Sequence, residues 1–475
     1  MPELFRKTLP VFIALAIISA AHAGPTFKLS EDGINLNVGG DLRLRLTHYN
    51  RNALPLPGGR PLPAPPFGGQ ELNELDNLQY LRLRTRVWGQ LALTEQISAY
   101  ARLVNRSQYF GDRHVSPKND YGEPSSTWAF WDETVVDNLY LDVAAPFGAN
   151  AWTLRLGRQD VVLGNGMVFL EGTPYDQGRG IYFDGLRADY ACGLCTLTLL
   201  ALHNHTQDDR GALFNDQNRR LRRGETGVLG AYFTQKNIRE DMSADLYAFH
   251  IDIDDESPAA SEAGEVNHPD DENAAINLVG ARLFGALNPK TDYSVELARQ
   301  FGTYNGAGTK QDLKGWMADA RLTLNHWSDK PLNPVLGLEY TYMSGAENDG
   351  DGDYEGWHPA FAEYPIWREE LLPLKFYANW TNFHQARIAV DMALNPKASL
   401  QIAGATLHAD EKNTPLVENV TPEGGHIGEQ LCAFLDYQLL PRMTVSLEAS
   451  QFYPGSHLPG MKTAEWLRFQ TIFRF

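Results

Sequence analysis

The sequence is poor in cysteine, has no surplus of positive charge and, beyond its N-terminal segment, lacks long apolar runs. Its 3 cysteines among 475 residues cannot build a disulfide-stapled domain. The 41 basic residues against 59 acidic ones give a formal net charge of -18. Nucleic-acid-binding proteins normally carry a basic surplus, so we expect no nucleic acid as a partner. No stretch of about 18 uninterrupted apolar residues follows Gly24, so no membrane-spanning helix is predicted.

The N-terminal segment has the features of a secretory signal peptide. Two basic residues, Arg6 and Lys7, precede an apolar run, and an A-x-A cleavage site ends at Ala23. The sequence therefore predicts a signal peptide at 1–23 and a single domain at 24–475. That domain is either soluble outside the cytoplasm or inserted in the outer membrane as a β-barrel.

Apolar and polar residues alternate with period two along much of the chain. In the first such segment Leu42, Leu44 and Leu46 share one face of an extended strand, whereas Arg43 and Arg45 share the other. A helix would scatter these arginines around its circumference, so the pattern predicts a β-strand. A soluble sandwich would bury the apolar face, and an outer-membrane barrel would turn it toward lipid.

The lengths of the connections favour the barrel. We predict strands at 35–49, 77–93, 96–108, 133–145, 150–160, 180–191, 194–203, 226–236, 241–252, 275–286, 290–301, 315–326, 332–343, 384–395, 398–408, 428–440, 442–453 and 463–475. Short and long connections alternate between them, as expected of periplasmic turns and extracellular loops. The segments 226–236, 241–252 and 275–286 alternate poorly. The predicted fold is an all-β, transmembrane antiparallel β-barrel of about 18 strands.

Arginine is concentrated on the predicted interior face of the first strands. The residues are Arg43, Arg45, Arg82, Arg84, Arg86, Arg102, Arg106, Arg155 and Arg158. Because arginine stays protonated, such rows need anionic compensation. Two interpretations remain open and can coexist. Interior carboxylates such as Asp142, Asp184 and Glu339 would form a salt-bridged ladder that stiffens the barrel, or the arginines would form an electropositive constriction that draws anions through the pore.

A calcium site is a weaker candidate. Asp349, Asp351 and Asp353 alternate with glycine as in a calcium-binding loop, although Tyr354 stands where an EF-hand needs glycine. A structural calcium ion would be the one cofactor of the protein, and a solvated acidic loop is the competing interpretation.

The remaining chemistry-bearing residues give little indication of a site. Cys192 and Cys195 lie on a short turn and are expected to form a structural disulfide or to remain a pair of thiols. His203 and His205 could bind a metal ion only if a bend brought both side chains inward, since we expect these alternate strand residues to point apart. We interpret them as ordinary histidines at the edge of a loop. Ser344, His358, His384 and His426 show no spacing that defines a hydrolytic triad, and no carboxylate pair stands out. We therefore predict no enzymatic activity.

The glycine-rich segment 156–190 carries the most specific motifs. Gly157-Arg158-Gln159, then Gln177-Gly178-Arg179, then Phe183-Asp184-Gly185-Leu186-Arg187 resemble the alginate export family of outer-membrane proteins. This resemblance implies a monomeric barrel of about 18 strands that passively exports an anionic polysaccharide. It also implies an arginine-lined constriction, to which the motif residues Arg158, Arg179 and Arg187 would contribute.

Together these observations predict a channel in the outer membrane of a Gram-negative bacterium. Its expected partners are an anionic polysaccharide or small anions, outer-membrane lipid and periplasmic export components. The alternatives are a general or uptake porin and, less favoured, a barrel hydrolase.

Overall fold

A computed structural model of the protein describes residues 26–29, 34–50, 77–110, 130–145, 151–171, 182–205, 212–214, 225–254, 273–306, 309–327, 329–347, 352–362, 380–416 and 420–475. The regular secondary structure of these residues is β-strand throughout. Within them, no helix has the length and apolar character needed to cross a membrane. The predicted signal peptide at 1–23 lies outside the described residues, as do Arg179, Asp349 and Asp351.

Eighteen long strands form a closed antiparallel barrel, as the sequence predicts. They are β1 Asn35–Asn50, β2 Asn77–Ala92, β3 Ile97–Phe110, β4 Phe130–Ala144, β5 Trp152–Gln159, β6 Phe183–Ala191, β7 Cys195–Asn204, β8 Glu225–Arg239, β9 Met242–Asp254, β10 Ala274–Asn288, β11 Thr291–Gly306, β12 Trp316–Leu324, β13 Val335–Met343, β14 Phe383–Asn395, β15 Ala398–His408, β16 His426–Leu440, β17 Met443–Pro454 and β18 Ala464–Arg474. Each strand pairs with the next, and β18 pairs back with β1 from Asp41↔Arg474 to Tyr49↔Trp466. Closure satisfies the backbone hydrogen bonds of both edge strands.

The poorly alternating segments are genuine barrel strands. They correspond to β8, β9 and β10, which pair in continuous register over most of their length. Their inward faces carry large apolar side chains such as Phe249, Ile251 and Ile276, all buried. Apolar side chains therefore occupy part of both faces of these strands, and this obscures the alternation.

The two faces of the barrel differ in the way that a membrane requires. Leucines on the outward face are exposed, for example Leu156 at 60% and Leu229 at 64%, whereas Arg43 and Arg45 on the other face are buried. Since the sheet is a single closed layer, the buried face is the interior. The outward apolar band is the surface that a barrel presents to lipid.

Two segments between strands fold into the barrel interior. Val161–Val162, Phe169–Glu171 and Phe361–Ala362 form a small separate sheet. The ring of Phe169 lies 4.7 Å from that of Phe361, 5.4 Å from that of Phe183 and 5.6 Å from that of Phe249. Because Phe183 and Phe249 belong to the barrel wall, this sheet packs against the inside of β6 and β9 and narrows the interior.

The predicted turn between β6 and β7 carries a disulfide. Cys192 and Cys195 are bonded, with their Cα atoms 5.0 Å apart, so the disulfide alternative is the one that the structure shows. Cys432 on β16 is buried, and its Sγ donates to Oγ of Ser450 at 3.6 Å.

Candidate channel interior

Strands β1, β2 and β3 bring seven arginines onto one contiguous patch of the inner wall, and Asp41 is the single acidic residue in the sequences of these strands. The arginines are Arg43, Arg45, Arg82, Arg84, Arg86, Arg102 and Arg106. The register places Arg84 opposite both Arg43 and Arg106, and it places Arg82 opposite Arg45. Adjacent strands lie about 4.8 Å apart, so these residues form rows of closely spaced guanidinium groups. We call this patch the arginine wall.

Asp41 lies between two arginines of the neighbouring strand. Its Oδ1 is 2.8 Å from Nη2 of Arg84 and its Oδ2 is 2.6 Å from Nε of Arg86. On the other side, Arg45 donates through Nε and Nη2 to Oε1 of Gln470 at 3.0 and 2.7 Å. The wall thus combines ion pairing with neutral amide contacts.

The edge of the arginine wall is neutralised by the next strand. Arg102 makes a bidentate contact with Asp137 on β4, through Nε and Nη2 at 2.8 Å each. Nη2 of Arg102 also donates to Oδ2 of Asp160 at 2.8 Å. A charge-assisted bidentate pair fixes the orientation of the guanidinium plane.

The arginines of β5 and β6 are paired one to one with aspartates. Nε of Arg155 is 2.8 Å from Oδ1 of Asp142, and Nε of Arg187 is 2.8 Å from Oδ2 of Asp189. Arg155 faces Arg187 across the two strands. Arg155 and Arg187 therefore make the ion pairs that the salt-bridged ladder predicts.

Arg158 departs from the predicted inward row. It follows Gly157, whose φ is +126°, and its register partner is Leu139, which is 56% exposed. Its Nε lies 3.0 Å from Oδ1 of Asp184. Strand alternation therefore does not group Arg158 with Arg155, because residues three apart on a strand point to opposite faces.

The wall formed by β9 to β13 is acidic and was not anticipated as a unit from the sequence. Its buried or half-buried carboxylates are Asp245, Glu296, Asp319 and Glu339, against Arg282 and Arg321. Asp245 accepts from Oη of Tyr232 at 2.7 Å and pairs with Arg282 at 2.6 Å. Asp245 lies on β9, where the other inward side chains are mostly apolar and obscure the alternation of polar and apolar residues in the sequence. We call this patch the acidic wall.

The inserted segment after β5 lies against the acidic wall. Nη2 of Arg321 donates to Sδ of Met167 at 3.1 Å. A Cβ atom on Gly164, whose φ is +58°, would collide with Oη of Tyr232. A residue without a side chain is therefore needed where this segment approaches β8.

Several aromatic side chains lie inside the barrel. Trp88 stacks on Tyr100 at 6.1 Å, Tyr100 stacks on Tyr140 at 4.9 Å, and the guanidinium carbon of Arg155 lies 3.8 Å from the centre of the Tyr140 ring. These rings continue the arginine wall toward the end of the barrel that carries the short turns.

The residues considered for calcium binding and for catalysis have other contacts. Asp353 pairs with Nζ of Lys314, while Asp349 and Asp351 lie outside the described residues. The hydroxyl of Ser344 donates to the carbonyl of Glu355 at 2.6 Å and accepts from the backbone N–H of Trp316 at 2.8 Å. The hydroxyl of Ser344 is thus engaged with the backbone.

The prediction that the side chains of His203 and His205 point apart is wrong. Residues two apart on a strand share a face, and the two imidazole rings lie 4.3 Å apart between their centres. They meet Glu225 at the start of β8.

The alginate export family profile matches residues 66–460. The chain belongs to the alginate export family. The match covers most of the sequence and confirms the resemblance carried by the glycine-rich motifs.

Solved barrels of similar fold come from Pseudomonas aeruginosa. OpdQ has a TM-score of 0.54 at 11% identity, covering 93% of this chain and 97% of that chain. OpdK with vanillate has a TM-score of 0.56 at 12% identity, covering 92% and 98%. OccD3 (OpdP) has a TM-score of 0.53 at 12% identity, covering 95% and 94%. At these identities the likeness concerns the fold alone. No curated protein matches this sequence.

Membership in the alginate export family and the 18-stranded barrel support an outer-membrane channel. The interior of this family member has two walls of opposite charge and an inserted sheet.

Proposed function

We propose that this protein is a passive channel of the Gram-negative outer membrane for an anionic, alginate-like polysaccharide or for other anionic solutes. The observation that carries the proposal is the arginine wall, in which β1 to β3 place seven arginines and one aspartate on the same inward face. Guanidinium groups recognise carboxylates through paired N–H donors and keep their charge at any working pH.

The opposing walls account for passage as well as attraction. A polymer that bears carboxylates is drawn to the arginine wall and repelled by the acidic wall, so it follows one side of the interior. Rows of similar guanidinium groups offer many equivalent contacts, and a channel needs binding weak enough at each site for the solute to leave. The aspartates that share these arginines weaken each contact and favour sliding over capture.

Substitution in the arginine wall tests this proposal. Arg84→Glu combined with Arg86→Glu removes two positive charges from this wall and adds two negative ones, and it should convert a preference for Cl⁻ into a preference for K⁺ in planar bilayers. Arg442→Glu in the short β16–β17 turn is the control and should leave selectivity nearly unchanged. Unaltered anion preference in the double variant would refute the role of the arginine wall. A difference in gel mobility between heated and unheated samples checks that the variant barrel has folded.

The runner-up function is uptake of small organic anions, as in a porin. The observation that favours it is the inserted sheet around Phe169 and Phe361, which narrows the interior. Uronate oligomers of increasing length distinguish the two functions. A polysaccharide channel should show longer and more frequent current blocks as the oligomer grows, whereas a small-solute porin should admit the shortest acids and exclude the longer ones.

The family and the fold motivate our proposals for the remaining partners. We propose that the protein acts as a monomer in outer-membrane lipid, and that periplasmic export components deliver the polymer. We also propose that it is not an enzyme, which the backbone contacts of the Ser344 hydroxyl support. Turnover of ester or glycan substrates by the refolded protein would overturn this.

A further inference from the structure

Three metal-ligating side chains converge on the outward face of the barrel, at the end that carries the long connections. Nε2 of His203 lies 3.1 Å from Nδ1 of His205. Glu225 completes the group, with Oε2 3.5 Å from Nε2 of His203 and Oε1 3.5 Å from Nδ1 of His205. Neither the arginine wall nor the acidic wall includes these residues.

The strand register explains why these three residues meet. β7 ends at Asn204, which pairs with Thr226, so His205 comes to lie beside Glu225 at the start of β8. His203 stands opposite Gly227, where a Cβ atom would meet nothing within 4 Å. The absence of a side chain at Gly227 leaves open space next to the imidazole of His203.

The three distances fit one small cation. In a tetrahedral zinc site with bonds of about 2.0 to 2.1 Å, neighbouring ligand atoms lie about 3.3 Å apart. The observed separations, 3.1 Å between the two ring nitrogens and 3.5 Å from each nitrogen to one oxygen of the Glu225 carboxylate, are close to this spacing. In the described part of the chain, these residues form a group of three ligands with all donor atoms within 4.8 Å of one another.

We propose that His203, His205 and Glu225 bind a divalent transition-metal ion, with Zn²⁺ as the best fit. Imidazole nitrogen favours Zn²⁺, Cu²⁺ or Ni²⁺ over Ca²⁺ and Mg²⁺, which prefer oxygen ligands throughout. Three protein ligands leave the fourth position of the tetrahedron to water. The ion joins the end of β7 to the start of β8 and so closes the base of the 205–224 connection.

The proposed metal site lies outside the interior through which solutes would pass. His203 shares the outward face with Leu199 and Leu229, both exposed. The ion would therefore lie outside the barrel interior, at the border of the apolar band nearest the long connections. Metal binding should therefore stabilise the barrel while leaving ion selectivity unchanged. Failure of the metal site and failure of the channel proposal are independent results.

A calorimetric titration tests the site. The mature protein, purified without a polyhistidine tag and stripped with a chelator, is titrated with Zn²⁺ in detergent micelles. We expect one ion per chain with micromolar or tighter affinity. His203→Ala, His205→Ala and Glu225→Gln should each weaken binding at least about tenfold. The control is His426→Ala, which removes another rim histidine whose Nε2 lies 2.9 Å from Oε1 of Glu429, and it should bind Zn²⁺ as the unmodified protein does.

Two results would overturn the proposal: no uptake of Zn²⁺ at millimolar concentration, or uptake that none of the three substitutions weakens. Co²⁺ provides a second measurement on the unmodified protein that does not depend on the folding of variants. Bound Co²⁺ should give the strong visible absorption of a four-coordinate ion, and a weak six-coordinate spectrum would contradict the ligand set.

Discussion

At the scale of single residues, the carboxylate of Asp41 holds two arginines of the neighbouring strand. Arg84 is only 3% exposed, so its charge depends on nearby polar groups for solvation. Alternation in the sequence places Asp41 on the same face as Arg43 and Arg45, and this part of the site was predictable. The sharing of one carboxylate by Arg84 and Arg86 was not, because it depends on the register between β1 and β2.

Replacing Asp41 by Asn separates the structural role of this contact from its electrostatic one. The barrel should lose about 3 kcal/mol of unfolding free energy, because a buried arginine loses a charged partner. Preference for Cl⁻ over K⁺ should increase, since the arginine wall gains one net positive charge. Urea unfolding in micelles and bilayer reversal potentials measure the two effects. Asp329→Asn, which removes an exposed pair with Lys330, should change stability by less than about 0.5 kcal/mol. A decrease in anion preference on Asp41→Asn would count against the arginine wall.

At the scale of elements, the glycines of the family-like motif have a physical explanation. Gly157 on β5 stands opposite Gly185 on β6, with φ values of +126° and +152°. A Cβ on either would run into the backbone carbonyl of the adjacent strand, that of Leu139 or Ala201 respectively. The motif therefore supplies glycine at two paired positions whose backbone conformation and close approach exclude a side chain, on either side of the inserted segment in the chain.

Gly157→Ala tests this explanation. The substitution should cost about 1 to 3 kcal/mol, because alanine rarely adopts this backbone conformation and its Cβ meets Leu139. The loss should appear as a lower temperature of barrel unfolding. Gly404→Ala on β15 is the matched control, since a Cβ there meets only the carbonyl of Gln430 at 3.9 Å. Equal effects of the two substitutions would show that the backbone conformation of Gly157 does not require glycine.

The strands and the small inner sheet differ in how far the sequence predicts them. All 18 barrel strands could be placed because alternation and connection length are local signals. The inner sheet could not, since Val161–Val162 and Phe361–Ala362 are too short to show a period. Its pairing also joins residues far apart in the chain, with Phe361 opposite Phe169. Asp245 could not be predicted either, because the apolar side chains around it on the inner face of β9 mask the alternation.

At the scale of the whole molecule, the proposed function assigns the width of the pore to the inserted sheet and the preference for anions to the two charged walls. Phe169→Ala should release the inserted segment from Phe183 and Phe249, at a cost of about 3 to 5 kcal/mol for a buried ring. Single-channel conductance should rise as the interior widens. Leu229→Ala, on the exposed outward face, should leave conductance unchanged. Conductance that stays constant in Phe169→Ala would show that the inner sheet does not limit the pore.

The central claim is that a surplus of arginine on one inner wall makes this barrel an anion channel. The most direct test is the reversal potential of the unmodified protein in a planar bilayer under a KCl gradient. We expect a potential whose sign reports Cl⁻ as the more permeant ion, and we expect high salt to reduce it because the arginine wall is then screened. A potential of the opposite sign, with K⁺ more permeant, would contradict it.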